Sequence, residues 1–439
     1  MTGRAVVVGM AASGVAATRR LLVLGHDVVA VDDAPSPEVR QRAAELGVEL
    51  VGAPGADRLQ GLVTSAGIVV VSPGVPPMHP VFAAAEQHRV PLVAELDLGA
   101  RAIERPIVAV TGTNGKTTVT TLVHQMLLAA GLKSVAAGNV GLPLTEVIGR
   151  DLDVVVVETS SFQLELSPSL HAAVGVWLNF AQDHLDWHPD LESYARAKAR
   201  IWARQSPDDV AVANAEDREV MRWARRAPGR LVTFGATAGD YRVDSGWLRT
   251  PAGEGIVELA QLRRSLPHDV ANALAAGAAA VSAGAPVEAV AAVLRRFEGL
   301  PHRPTLVSDA GGVRWYDDSK ATNPHAALAA VAGFESVVLV AGGRNKGLDL
   351  SPLAAAAERL RAVVAIGEAA PDIEAALGRA LPVVAAGSMV DAVHAAAELA
   401  RPGDVVLLSP ACASFDWYDS YSERGDDFAR AVLAQAAKT

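Results

Sequence analysis

The stretch Val110-Thr111-Gly112-Thr113-Asn114-Gly115-Lys116-Thr117-Thr118 decides how this chain reads. An apolar strand pattern at 107–110 leads into it, and a helical pattern at 119–130 leads out. Glycines let the backbone curl until its N–H groups face a phosphate, and the helix N-terminus adds partial positive charge. Lys116 can reach the β- and γ-phosphates of a nucleotide, and the Thr117 hydroxyl can ligate Mg²⁺. The spacing departs from the standard phosphate-binding loop, because Val110 stands where the first glycine falls and Gly112 takes a later place. An ordinary strand-to-helix turn explains the glycines alone. It does not explain strand, glycines, lysine and helix in this order.

Working outward, a second strand pattern, Val154-Val155-Val156-Val157, ends on Glu158, where a phosphate-loop sheet carries a metal-facing acid. The apolar run 174–178 leads into Asn179-Phe180-Ala181-Gln182-Asp183-His184-Leu185-Asp186. His184 therefore lies just past a strand end, the usual place for ligands in open α/β sheets, although a lone histidine is as often structural. Next comes the helical Tyr194-Ala195-Arg196-Ala197-Lys198. Of the 39 lysines and arginines only six are lysine: Lys116, Lys133, Lys198, Lys320, Lys346 and Lys438. Where arginine serves almost everywhere, a lysine points to a role arginine cannot fill. An ammonium has no lone pair for a metal, so beside a metal site Lys198 is either a phosphate contact or chemically modified.

Short apolar strand patterns at 5–8, 28–31, 68–71, 107–110, 154–157, 174–178, 210–212, 313–316, 337–341, 363–366 and 405–408 alternate with helical patterns along the whole chain, which predicts an α/β fold. Three consecutive α/β segments predict three domains, 1–94, 95–299 and 300–439. The last follows the turn-rich Gly299-Leu300-Pro301-His302-Arg303-Pro304, and 237–258 reads as a small β-meander. In the first domain Gly9-Met10-Ala11-Ala12-Ser13-Gly14, with Asp32 ending the second strand, superficially matches a dinucleotide fingerprint. Ala11 replaces the glycine that admits a pyrophosphate, which argues for a nucleotide-like ligand held differently and against NAD. In the third domain three polar segments follow strand patterns: Asp317-Asp318-Ser319-Lys320-Ala321-Thr322-Asn323, Gly342-Gly343-Arg344-Asn345-Lys346-Gly347 and Ser409-Pro410-Ala411-Cys412-Ala413-Ser414-Phe415-Asp416. As strand C-terminal ends they are expected to converge on one edge.

Together these segments resemble the Mur ligase family, specifically its D-glutamate-adding branch, in order over essentially the whole chain. The resemblance implies a Rossmann-like N-terminal domain, a central P-loop ATPase domain with a parallel sheet and a C-terminal Rossmann-like domain. It implies ATP, two Mg²⁺ ions and an acyl phosphate made on the carboxylate of UDP-N-acetylmuramoyl-L-alanine, which the amine of D-glutamate then attacks. Carried over, Gly112, Thr113, Asn114, Gly115, Lys116, Thr117 and Thr118 hold the phosphates, and Asn272, Arg303 and Asp318 flank the adenosine. Thr117, Glu158 and His184 hold metal, with Lys198 as a carbamate. Lys320, Thr322, Lys346, Ser414 and Phe415 hold D-glutamate, while Ser13, Asp32, Gly74 and Asn139 hold the UDP-sugar. Three positions depart from the family pattern: Ala34 where a basic residue is expected, Tyr421 where a Phe is expected, and Leu266-Pro267-His268-Asp269 before Asn272.

A net charge of -10 without a basic run argues against nucleic acid. One cysteine, Cys412, allows no intramolecular disulfide and fits a reducing compartment. With no secretory signal or apolar run long enough for a membrane span, a cytoplasmic enzyme is expected, and the resemblance implies a monomer. The alternatives are a sibling or folylpolyglutamate-type ligase adding a different amino acid, a NAD-dependent oxidoreductase, and a P-loop ATPase or GTPase switch. The 318–323 segment opposes the first, Ala11 the second, and the third domain's polar loops the third.

Overall fold

The computed structural model describes residues 3–437; Lys438 lies outside them. The chain packs into two compact units. The first runs to Phe180 and takes in Trp187–Glu258 and Ala273–Leu294; the second holds Ala181–Asp186, Leu259–Asn272 and the chain from Arg295 on.

The first unit contains two parallel sheets. Strands β1 (Arg4–Val8), β2 (Asp27–Asp32), β3 (Glu49–Gly52), β4 (Ala66–Val71) and β5 (Leu92–Val93) form a sheet of order β3-β2-β1-β4-β5. Strands β6 (Ile107–Thr111), β7 (Ser134–Gly138), β8 (Val154–Glu158), β9 (Val174–Trp177), β10 (Val210–Asn214) and β11 (Arg230–Phe234) form another, ordered β11-β10-β9-β6-β8-β7. The central strands are continuous valine-rich runs because helices cover both faces of the sheet. Strands β12 (Arg242–Asp244), β13 (Trp247–Arg249) and β14 (Gly255–Glu258) make the expected antiparallel meander.

The second unit contains β15 (Thr305–Ala310), β16 (Val313–Asp317), β17 (Val337–Gly342), β18 (Leu360–Ile366), β19 (Val383–Ala386) and β20 (Val405–Ala411), ordered β15-β16-β20-β17-β18-β19. Only the β15–β16 pairing is antiparallel. The α/β architecture read from the sequence is the one observed.

Strand order fixes where ligands can enter. In the first sheet the chain runs from β1 out to β3 and then crosses to β4 and β5; in the second, β9 to β11 lie on the other side of β6 from β7 and β8; in the third, β20 returns between β16 and β17. The C-terminal ends of the strands at each reversal open a crevice. In the first sheet β1 lies between β2 and β4, so Ser13, Asp32 and Gly74 follow neighbouring strand ends. In the second, β6 lies between β8 and β9, which sets the 112–118 loop between Glu158 and Asn179. In the third, β20 lies between β16 and β17, and the three polar segments leave adjacent strands as expected.

Candidate active site

The glycine loop is held from below by one side chain. Asn179 Oδ1 accepts the Asn114 N–H at 2.9 Å, and its Nδ2 donates to the Asn114 carbonyl at 3.1 Å. Gly112 has no room for a side chain, since a Cβ would stand 2.9 Å from Leu178 Cβ. Gly115 takes φ +85° where the loop turns into the helix Lys116–Ala129, leaving that helix N-terminus without a side-chain cap. Uncapped N–H groups at a helix N-terminus suit a bound anion. Lys116 Nζ donates to the carbonyls of Gly112 and Thr113, both at 3.0 Å. Lys198, 1 % exposed, donates from the other side to the same Gly112 carbonyl at 2.8 Å. Its ammonium also lies 4.6 Å from the centre of the buried Tyr194 ring, whose hydroxyl is 3.2 Å from Thr113 Oγ1.

Glu158 ends β8 beside this loop. Its Oε1 accepts from Asn139 Nδ2 at 2.9 Å, while Oε2 is buried and has no hydrogen-bond partner. A buried carboxylate oxygen without a partner is costly unless a cation completes it. Asn139, assigned from resemblance to the UDP-sugar, thus stands at the end of the second sheet and braces Glu158. The other three sugar candidates stay together on the first sheet. There Asp32 accepts the Met10 N–H at 3.0 Å and the Ala34 N–H at 3.2 Å, so its carboxylate shapes the loop. The exposed Ala34 contributes only its backbone N–H to that arrangement.

His184 belongs to the second unit and has φ +56°, with its N–H on Asp183 Oδ1 at 2.8 Å. Asp183 Oδ2 accepts from Asn323 Nδ2 at 3.0 Å. Among the described residues no cluster of three or more His, Cys, Asp or Glu side chains forms a cation cage. A Mg²⁺ site completed by a hydroxyl, a single carboxylate, water and substrate phosphate needs none.

The remaining candidates also lie in the second unit. Asp318 is buried, and that burial pushes its carboxyl well above the ordinary value despite the Ser409 hydroxyl bonded to it at 2.8 Å and the Arg303 charge nearby. Lys320 lies with its ammonium 3.8 Å from the centre of the Tyr421 ring, so the tyrosine found in place of phenylalanine supplies a cation–π face. Thr322 and Lys346 are half-buried, Ser414 is buried and Phe415 is exposed. Asn272 is half-buried on the helix Pro267–Ser282. In the variant segment before it, Asp269 pairs with Arg264 at 3.1 Å, and burial lowers the pKa of His268.

Sequence reading missed Arg424. This guanidinium is 1 % exposed and ties all three polar loops together. Nε donates to Ser319 Oγ at 2.9 Å and Nη2 to the Ser319 carbonyl at 2.8 Å, while Nη1 reaches the carbonyls of Cys412 at 3.1 Å and Ala413 at 3.2 Å. Nη1 also lies 3.5 Å from the Gly342 carbonyl. Burial pushes its pKa down to about 10 and that of the neighbouring Cys412 thiol up to about 12. Arg424 lies in the last helix, in a stretch carrying no motif, so only the fold shows its partners. Asn179 and Tyr194, by contrast, sat inside quoted segments and were passed over for their neighbours.

A phosphate loop with an uncapped helix N-terminus, and a metal-ready acid on the adjacent strand, define a nucleotide-using P-loop enzyme. Comparison narrows the class. The Mur ligase middle domain matches residues 110–280, and the Mur ligase, glutamate ligase domain matches 302–412. A UDP-N-acetylmuramoylalanine--D-glutamate ligase of Desulfosudis oleivorans is 42% identical, covering 98% of this chain and 96% of that protein. One from Frankia casuarinae is 43% identical over 98% and 93%. A solved MurF ligase of Thermotoga maritima in complex with ADP superposes with a TM-score of 0.61 at 17% identity, covering 87% of this chain and 92% of that one. The chain belongs to the Mur ligase family.

Proposed function

We propose that this chain is an ATP-dependent ligase joining the amine of D-glutamate to the alanyl carboxylate of UDP-N-acetylmuramoyl-L-alanine, a step of peptidoglycan precursor synthesis. The observation that carries the reading is the partnerless buried oxygen of Glu158 beside an uncapped phosphate loop. The choice of amino acid rests on the relatives' names.

A carboxylate is a poor electrophile, and its charge repels nucleophiles. Transfer of the γ-phosphoryl group from ATP to a carboxylate oxygen gives an acyl phosphate and ADP. The amine of D-glutamate then adds to the acyl carbon, and the tetrahedral adduct expels phosphate as the amide forms and the nitrogen loses a proton. Catalysis of such steps is mostly positioning and charge stabilisation. Loop N–H groups, Lys116 and Thr117 to Thr118 hold the phosphates; Thr117, Glu158 and His184 are the residues for Mg²⁺. Mg²⁺ supplies charge neutralisation on the phosphate oxygens. Arg303, Asn272 and Asp318 receive the adenosine, and Lys320, Thr322, Lys346, Ser414 and Phe415 receive D-glutamate. Ser13, Asp32 and Gly74 receive the UDP-sugar, and Asn139 reaches it from its brace on Glu158. Three working domains, 1–94, 95–299 and 300–439, carry these roles in a cytoplasmic monomer. Among the described residues no helix is long and apolar enough to cross a membrane.

Lys198 is read as a carbamate site. Its contacts with the Gly112 carbonyl and the Tyr194 ring are those of the ammonium; the adduct requires that the ammonium lose a proton, that the amine add to CO₂ with loss of a second proton from the carbamic acid, and that the carbonyl be released.

Phosphate release from ATP, measured with the UDP-sugar substrate and a panel of amino acids, should require D-glutamate. Release without it, or with another amino acid alone, removes the specific reading. Lys198→Ala should be nearly inactive and partly restored by short carboxylic acids, whereas a fully active variant removes the carbamate.

A further inference from the structure

We infer that His302 and Asp317 form a dyad that positions Lys320 for the amino-acid substrate; the inference rests on the reading of Lys320 given above. His302 has φ +58°, a left-handed conformation that costs a non-glycine residue free energy and persists only where the surroundings enforce it. Three contacts enforce it. The His302 carbonyl accepts the Lys320 N–H at 3.1 Å. Its Nδ1 lies 2.6 Å from Asp317 Oδ2, and Asp317 Oδ1 accepts the Ser319 N–H at 2.9 Å. The dyad thus holds both Lys320 and the residue before it by their main chain.

The dyad is also roofed. A Cβ on Gly425 would come 2.2 Å from His302 Nδ1 and 2.6 Å from Asp317 Oδ2, so the helix Tyr421–Ala436 rests directly on the pair. That helix brings Asp426 to 3.9 Å from His302 Nε2 and the Tyr421 ring to the Lys320 ammonium. Lys320 is therefore fixed at both ends, its backbone by the dyad and its charge by the helix above. A cation held in one place recognises a carboxylate at lower entropic cost than a free one. The role belongs to positioning residues, since neither member is placed against substrate.

The chemistry of the pair selects the test. Asp317→Ala removes both acceptor oxygens and so releases His302 and Ser319 together. His302→Asn keeps an N–H donor near the Nδ1 position and tolerates left-handed backbone, whereas His302→Ala does neither. In full-length enzyme, the KM for D-glutamate should rise about tenfold or more in Asp317→Ala and His302→Ala. The KM for the UDP-sugar substrate should stay within about twofold, and His302→Asn should recover most of the loss. Equal rises in all KM values, no rise, or no recovery in His302→Asn overturns the dyad. A wild-type enzyme indifferent to D-glutamate overturns the reading of Lys320 instead. If His302→Ala does not fold, Asp317→Ala and His302→Asn still decide.

Discussion

One carbonyl, that of Gly112, accepts two ammonium groups, from Lys116 and Lys198. Glu158, an acid with an unsatisfied buried oxygen, ends the adjacent strand. Glu158→Gln keeps the size and the bond to Asn139 but removes the charge, so phosphate release should fall ~100-fold or more, comparable to deleting a transition-state electrostatic contact. An unaffected rate in the phosphate assay sinks that role. Asp318 makes a pH prediction. Burial raises its folded pKa above the ordinary 3.8, so the folded protein binds this proton more tightly than the unfolded chain does. Its contribution to stability is full below 3.8 and is lost as pH climbs through the raised value. Asp318→Asn mimics the protonated form and keeps an acceptor for Ser409. Thermal unfolding from pH 5 to 8 should show wild type falling relative to the variant as pH rises; parallel curves contradict this. Arg424→Lys cannot span Ser319, Cys412 and Ala413, because an ammonium lacks the planar fork. It should raise the KM for D-glutamate and lower the melting temperature, both measurable on the same sample.

At the scale of elements, the strands legible in the sequence and those missed divide cleanly. Every interior strand of the three parallel-rich sheets was read, and the six missed were β3, β5, β7, β11, β15 and β19. These are the two outer strands of each sheet. An interior strand between covering helices must be apolar on both faces and reads as a run such as Val154-Val155-Val156-Val157. An edge strand is short or carries polar residues, as in Arg230–Phe234 or Thr305–Ala310, and blends into its turns. Helix starts show the same dependence on neighbours. Gly14 opens the helix Ala12–Val23 so close to β1 that a Cβ would lie 1.9 Å from the Gly9 carbonyl oxygen. Gly14→Ala should therefore cost about 1–3 kcal/mol and raise the KM for the UDP-sugar substrate. A variant with unchanged melting and kinetics shows that the helix can shift freely.

For the whole molecule, motifs close in sequence were readable and long-range supports were not. The phosphate loop and Glu158 announce themselves, because local geometry dictates their residues. The grip of Arg424 on Ser319 and Cys412, and of Asn139 on Glu158, exists only after sheets have formed. The two compact units give one further expectation. Ser13, Asp32, Gly74 and Asn139 all belong to the first unit. UDP-N-acetylmuramoyl-L-alanine added alone should slow amide exchange there, at the ends of β1 and β4, and leave the β16 to β20 ends unchanged; equal slowing in both units rejects the assignment.

Cys412 has a practical consequence. It is the chain's sole thiol, 2 % exposed, and burial pushes its pKa up to about 12. At neutral pH it offers almost no thiolate to an alkylating reagent. A cysteine introduced on the surface should accept a maleimide dye selectively in the native background, with mass spectrometry recording a single adduct. Pairs of such labels, one per unit, would let energy transfer follow the two units through a catalytic cycle without first engineering the native cysteine away.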